Sequence, residues 1–147
     1  MGFVNFDSSA FVADPPLVEA LRARAVPIDC SRDRVLFRQG DPSDGLFILL
    51  SGEAVLRLDS TLGDQVLTMP AMPGSLLGLP GLVGNREYSM SCEAKQGADV
   101  RFMSRDDFSQ LMLTEPGLAM MILRVLAAEV RTARSAMASA EGAIPAP

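Results

Sequence analysis

The sequence predicts an α+β fold: an antiparallel β sandwich or barrel, with one helix before it and two after it. Three observations carry this. Between residues 26 and 103, short apolar or alternating runs recur with Gly, Pro, Asp and Ser between them, at the roughly 8–12-residue spacing of antiparallel sheet proteins. Ahead of that stretch, Asp14-Pro15-Pro16 is a helix opening, because Asp caps helices and Pro fits a first turn whose N–H groups have no partner. Behind it, apolar residues fall at helical spacing. The chain has 147 residues, of which 48% are hydrophobic and 21% charged, enough for one domain with a real core.

The elements follow in order. Residues 1–15 are a loose lead-in, and a helix spans 16–24 with Leu17, Ala20 and Leu21 on one face. Strand runs follow at 26–30, 35–38 and 46–50. The run 53–59 alternates, with Ala54, Leu56 and Leu58 on one face and Glu53, Val55, Arg57 and Asp59 on the other. Residues 60–63 form a hairpin loop into a strand at 64–69, and 70–74 form a turn. Strands at 88–94 and 98–103 bring the total to seven or eight. Gly40, Gly45, Gly52 and Gly63 close strand runs, where a positive φ is cheap for glycine. Ser104 and Asp107 form an S-x-x-D cap ahead of Phe108, Leu111 and Met112. Thr114-Glu115-Pro116-Gly117 breaks that helix. A final helix runs over about 116–140, and 141–147 is a frayed tail.

Composition excludes several functions. With no His, neither Ser-His-Asp or Cys-His catalysis nor a His-ligated metal is available. The net charge of −5 is not the footprint of a nucleic-acid binder. Cys30 and Cys92 lie far apart and read as buried, inert thiols. The first residues lack the basic and apolar regions of a signal peptide. The longest apolar stretch, 118–130, is interrupted by Arg124 and Glu129 and falls short of the ~20 residues a bilayer needs. The expectation is a soluble, cytoplasmic, non-enzymatic protein with no direct nucleic-acid or membrane contact. Asp106-Asp107 reads as negative charge at a helix start, and Glu129 with Arg124 and Arg131 as a solvated helix face. Met112, Met120, Met121 and Met137 read as core or a partner seam.

The run Leu36-Phe37-Arg38-Gln39-Gly40-Asp41-Pro42-Ser43-Asp44-Gly45-Leu46-Phe47-Ile48-Leu49-Leu50-Ser51-Gly52-Glu53-Ala54 resembles the first half of cyclic nucleotide-binding domains of the catabolite-activator/FNR type. With Gly74, Gly78, the Ser104 cap and the terminal helices, the resemblance covers about 16–140. It implies a jelly-roll-like β-roll (a double-stranded β-helix) at about 26–103 and helices at 105–140. The family carries a phosphate-binding cassette, Gly-Glu-x-Ala/Gly-Leu followed by a short helix and Arg-Ser/Ala-Ala. There a helix N-terminus cradles the cyclic phosphate, the Glu binds the ribose 2′-hydroxyl and the Arg pairs with the phosphate.

On this chain Gly78-Leu79-Pro80-Gly81-Leu82 and Tyr88-Ser89-Met90-Ser91-Cys92-Glu93-Ala94 occupy the cassette positions. Gly78, Gly81, Leu82, Ser89 and Ala94 keep the scaffold pattern. Leu79 stands for the Glu and Tyr88 for the Arg, and Pro80 lacks an N–H donor. Two hydrogen bonds to charged groups, at ~1.5–3 kcal/mol each, amount to roughly a hundredfold to ten-thousandfold in affinity. Arg86 is a substitute cation, and Tyr88 offers a ring to stack on a base or a hydroxyl to donate.

The resemblance implies a regulatory sensor that takes a small ligand at Gly78, Leu79, Pro80, Gly81, Leu82, Arg86, Tyr88 and Ser89 and signals through the last helix. It implies no cofactor. Cyclic AMP or cyclic GMP is the candidate ligand, and a homodimer through 116–140 the candidate assembly. Two alternatives stay open: a ligand-free dimerisation or interaction module, and the sensor part of a transcription regulator without its DNA-binding domain.

Overall fold

The computed structural model describes residues 8–142 apart from 61 and 63, and gives no side-chain placement for 8, 65, 66 and 133–142. The start of the lead-in, Gly63, the Met137 side chain and the last five residues of the tail therefore lie outside the described residues. A 3-10 turn at Ser8–Phe11 precedes α1 (Pro15–Arg22). Five strands follow, β1 (Val26–Ile28), β2 (Arg34–Phe37), β3 (Gly45–Ser51), β4 (Ala54–Asp59) and β5 (Gln65–Ala71). Next come β6 (Leu76–Leu77), α2 (Leu79–Val83), β7 (Ser91–Ala94) and β8 (Asp99–Ser104). The chain ends with α3 (Arg105–Thr114) and α4 (Pro116–Gly142).

The strands form two antiparallel four-stranded sheets, ordered β1-β8-β3-β6 and β2-β7-β4-β5. This is the α+β arrangement that the sequence pattern predicts, in the β-roll form that the resemblance implies. One core lies between the sheets, where Phe47, Leu49, Leu77 and Val100 meet Phe37, Leu56, Met69 and Cys92. A second lies between the first sheet and the helices, where Leu46, Ile48, Leu76 and Met103 meet Leu17, Leu21, Phe108, Leu111 and Ile122. β3 thus buries both faces, which is why its sequence is an unbroken apolar run. β4 shows its outer face to solvent, so Ala54 and Leu56 are buried while Arg57 is exposed.

Several expectations are corrected. The lead-in is not loose near its end: Phe11 and Ala13 are buried, and the 3-10 turn packs on α4 and β5. Asp14 sits at the N-cap of α1 in extended geometry, but its carboxylate makes no cap bond. Its carbonyl receives Leu17 N and Val18 N instead. Pro70 belongs to edge strand β5, paired with Val55, and the turn starts only after Ala71. The 88–94 strand begins at Ser91, because Tyr88 spends its backbone groups on the 40–41 loop. Gly40 and Gly52 adopt positive φ, whereas Gly45 does not. Gly45 is needed because a Cβ there would lie 2.2 Å from the Met103 carbonyl oxygen. Glu129 is not on a solvated face: it is 2% exposed, while Arg124 and Arg131 are exposed.

The predicted cap of α3 forms, with Ser104 Oγ accepting from Asp107 N at 3.1 Å. Ser104→Ala is expected to cost about 1 kcal/mol in urea unfolding. No single helix among the described residues is long and apolar enough to cross a membrane.

Candidate functional site

The site is built where the β2–β3 loop, the segment after α2 and the start of α3 meet. Gly78 opens α2 at φ 89°, and Asn85 turns the chain out of it at φ 52°, a left-handed conformation that Asn tolerates. The following residues lie along the loop. Gly40 N donates to Tyr88 O and Tyr88 N to Asp41 O, both at 2.9 Å, and a single bridge pairs Pro42 with Glu87. Ser43, itself buried, donates its hydroxyl to Arg86 O. Arg105 closes the arrangement. Its Nε and Nη2 donate to Ser43 O at 2.9 and 2.6 Å, Nη1 donates to Asn85 Oδ1, and its backbone N donates to Asp44 O at 2.9 Å.

Tyr88 is the centre of the site. It is 4% exposed, and its ring stacks on Phe37 with centroids 4.2 Å apart and an interplanar angle of 19°. Its hydroxyl donates to Gly45 O at 2.8 Å and accepts from Gly45 N at 3.1 Å. Burial is the largest influence on the phenol and pushes its pKa above the ordinary value. The ring also lies against the start of α2, where a Cβ on Gly78 would be 2.7 Å from Tyr88 Cε1. Gly81 is covered too, since its Cβ would lie 2.5 Å from Glu87 O. Leu79 is 0% exposed and joins the helix-side core with Leu46 and Leu82. The side chain at the usual Glu position is therefore a packing residue.

The structure separates the predicted site residues into two groups. Arg86, Tyr88 and Ser89 line an open cavity of about 840 Å³, together with Gln39, Ser43, Asn85 and Arg105. Gly78, Leu79, Pro80, Gly81 and Leu82 do not line it. Arg86 and Ser89 are exposed. Sequence reasoning missed Asn85 and Arg105. Asn85 had a signal, an Asn directly after Gly84 at a turn. Arg105 had a fainter one: a cation in the first turn of a helix, where the macrodipole disfavours it. Neither Cys30 nor Cys92 joins the site. Both are free and buried, and burial pushes the Cys92 thiol up to about 12.

Two stacked antiparallel sheets, a glycine-led short helix between β6 and β7, and a long last helix packed on the 3-10 turn, α1 and α3 define a β-roll domain. Over residues 28–115 the chain matches the family described as Cyclic nucleotide-binding domain, and it belongs to that family. The CRP-like cAMP-activated global transcriptional regulator of Mycobacterium tuberculosis is 24% identical over 125 residues, covering 85% of this chain and 56% of that regulator. The fold is similar to that of the Thermus thermophilus catabolite activator protein, with a TM-score of 0.71 at 24% identity over 82% of this chain and 57% of that one. A cyclic nucleotide-binding domain from Methylobacillus flagellatus KT gives a TM-score of 0.71 at 24% identity, covering 90% of this chain and 76% of that one. The chain spans about half the length of the curated relatives it matches.

Proposed function

We propose that this chain is a non-enzymatic regulatory domain whose phosphate cradle is occupied by its own Tyr88 ring, so that cyclic AMP and cyclic GMP bind weakly at best. The carrying observation is the ring's position, stacked on Phe37, bonded to Gly45 and set against Gly78. The resemblance places the cyclic phosphate at the N-terminus of the same helix. The burial of Leu79 supports the reading, because it removes the usual ribose contact. Signalling runs from the 78–89 segment to α3 and α4. Two free, buried thiols fit a reducing, cytoplasmic setting, and the net charge of −5 fits a domain without direct nucleic-acid contact.

A second reading is favoured by α4 itself. Met120, Leu123 and Val130 are 53%, 41% and 40% exposed at helical spacing, a stripe suited to a homodimer through 116–140. The domain then serves as a dimerisation module, alone or as the sensor part of a longer transcription regulator.

Calorimetric titration with cyclic AMP and cyclic GMP tests the first reading. No saturable heat is expected below about 1 mM, and micromolar binding would overturn it. Sedimentation of the wild type against Leu123→Glu tests the second, which requires a dimer that the charge dissociates.

A further inference from the structure

The open cavity beside the closed cradle has an uneven wall. Arg86 makes no side-chain hydrogen bond or ion pair with any other described residue. Arg105 is engaged only by neutral oxygens, the Ser43 carbonyl and the Asn85 amide, and no carboxylate lies within ion-pair distance of it among the described residues. A guanidinium carries five N–H groups, and two of those on Arg105 are unused by these bonds. Glu87 is the one acidic residue among those lining the cavity, so two cations and one anion leave its wall at +1 on a chain whose net charge is −5. The exposed Ser89 adds a hydroxyl.

We propose that this cavity is a binding site for a phosphate-bearing anion, with Arg86 as its principal contact and Arg105 and Ser89 as the supporting donors. The proposal rests on the reading that the cradle at α2 is closed, and names another place in the same domain for a phosphate-bearing ligand. An arginine fork matches phosphate geometry bidentately, and the free Arg86 needs to break no existing bond to use it. The cavity size suits a ligand from a phosphate ion to a nucleotide. Arg105 also gives the site an outlet. It is the first residue of α3, and its guanidinium ties α3 to both the Ser43 loop and Asn85. A ligand that recruits its unused N–H groups acts directly on that tie, so occupancy is felt at the start of α3 without passing through the cradle.

The test is a two-dimensional NMR titration of the full chain with inorganic phosphate, 5′-AMP, cyclic AMP and, as a phosphate-free control, adenosine. Saturable shifts at the amides of Arg86, Ser89 and Arg105 are expected at about millimolar concentration or below, with adenosine silent. Arg86→Ala is expected to weaken binding at least tenfold with an unchanged melting temperature, since the fold's bonds at Arg86 are made by its backbone and are kept. Arg86→Lys should fall between the two. Equal response to all phosphates assigns the site to the phosphate group alone, and a response confined to the nucleotides assigns it to a nucleotide. No saturable shift with any probe at about 20 mM overturns the proposal while leaving the closed cradle standing. Tight cyclic AMP shifts at Gly78, Leu79 and Gly81 that survive Arg86→Ala overturn the closed cradle, whereas inorganic phosphate and 5′-AMP responses that survive Arg86→Ala overturn this site.

Discussion

Glu129→Leu is expected to stabilise the domain at pH 7 by about 3 kcal/mol, and to remove most of its pH dependence between 4.5 and 9. Glu129 lies on α4 with both carboxyl oxygens buried and without a hydrogen-bond partner among the described residues. Burial pushes its pKa from 4.5 to about 9, and no ion pair among the described residues offsets this. The nearby cavity between the 3-10 turn, α1 and α4 is lined by one acid, Asp14, and one base, Arg124, and neither forms an ion pair with Glu129. The sign follows from where each state ionises. Below pH 4.5 the carboxyl is protonated whether the chain is folded or not, and burial carries no ionisation penalty. Between 4.5 and 9 only the unfolded chain ionises freely, so wild-type stability falls by about 1.4 kcal/mol per pH unit. Above 9 both states are charged and the loss levels off. For a chain of this size, 3 kcal/mol is roughly 8–12 °C of melting temperature. Thermal melts of wild type, Glu129→Leu and Glu129→Gln from pH 4 to 9 check this. A flat wild-type profile, or a destabilised leucine variant at pH 7, would show that the carboxyl is stabilised by something else.

Tyr88→Ala is expected to destabilise by about 3–5 kcal/mol, the range for deleting a buried aromatic ring. Tyr88→Phe keeps the ring on Phe37 and removes only the two bonds to Gly45, leaving backbone groups of a buried residue short of partners at about 1–3 kcal/mol. The two variants separate filling from tethering. If the ring is what closes the cradle, Tyr88→Phe leaves cyclic nucleotide binding as weak as in the wild type. Tyr88→Arg also loses the ring, at a comparable cost in stability, and the folded fraction is expected to gain about 10- to 100-fold in affinity for cyclic AMP, by returning an Arg to the position where the resemblance puts the phosphate contact. The Glu contact does not return with Leu79→Glu. Leu79 is fully buried in the helix-side core, and a carboxylate there is an unpaired buried charge that unfolds the domain rather than binding a ribose. Chemical denaturation and calorimetry on the same variants read both effects. A Tyr88→Ala variant as stable as wild type would mean that the ring is not packed as described.

The strand ladder was legible because its two periods are written in the residues. β4 alternates because one face meets water, and the Ser104 cap follows from a motif whose chemistry is local. The resemblance places the cassette by its glycine spacing alone, because Leu79 and Tyr88 stand at its polar positions. Other features depend on distant partners and left no local mark. Glu129 is an ionisable residue in a helix otherwise readable by period, and nothing nearby in sequence tells that this turn faces inward. Tyr88 and Gly45 are 43 residues apart, and their contact appears only once the loop and the cassette segment are side by side. Arg105 joins residues 62 and 20 positions away. Its role is a property of three segments at once.

Gly45 has a consequence for how the roll assembles. A half-buried strand carries its own alignment, since a one-residue shift would turn polar residues into the core. β3 has no such guard, because Phe47 and Leu49 on one side and Leu46 and Ile48 on the other are all apolar. Opposite Ser104, however, the strand passes so close to the Met103 carbonyl and the Phe102 ring that no Cβ fits. A slip in either direction would bring Asp44 or Leu46 to that spot, and neither can be accommodated. One absent methyl thus serves as the registration mark for the strand that both cores share.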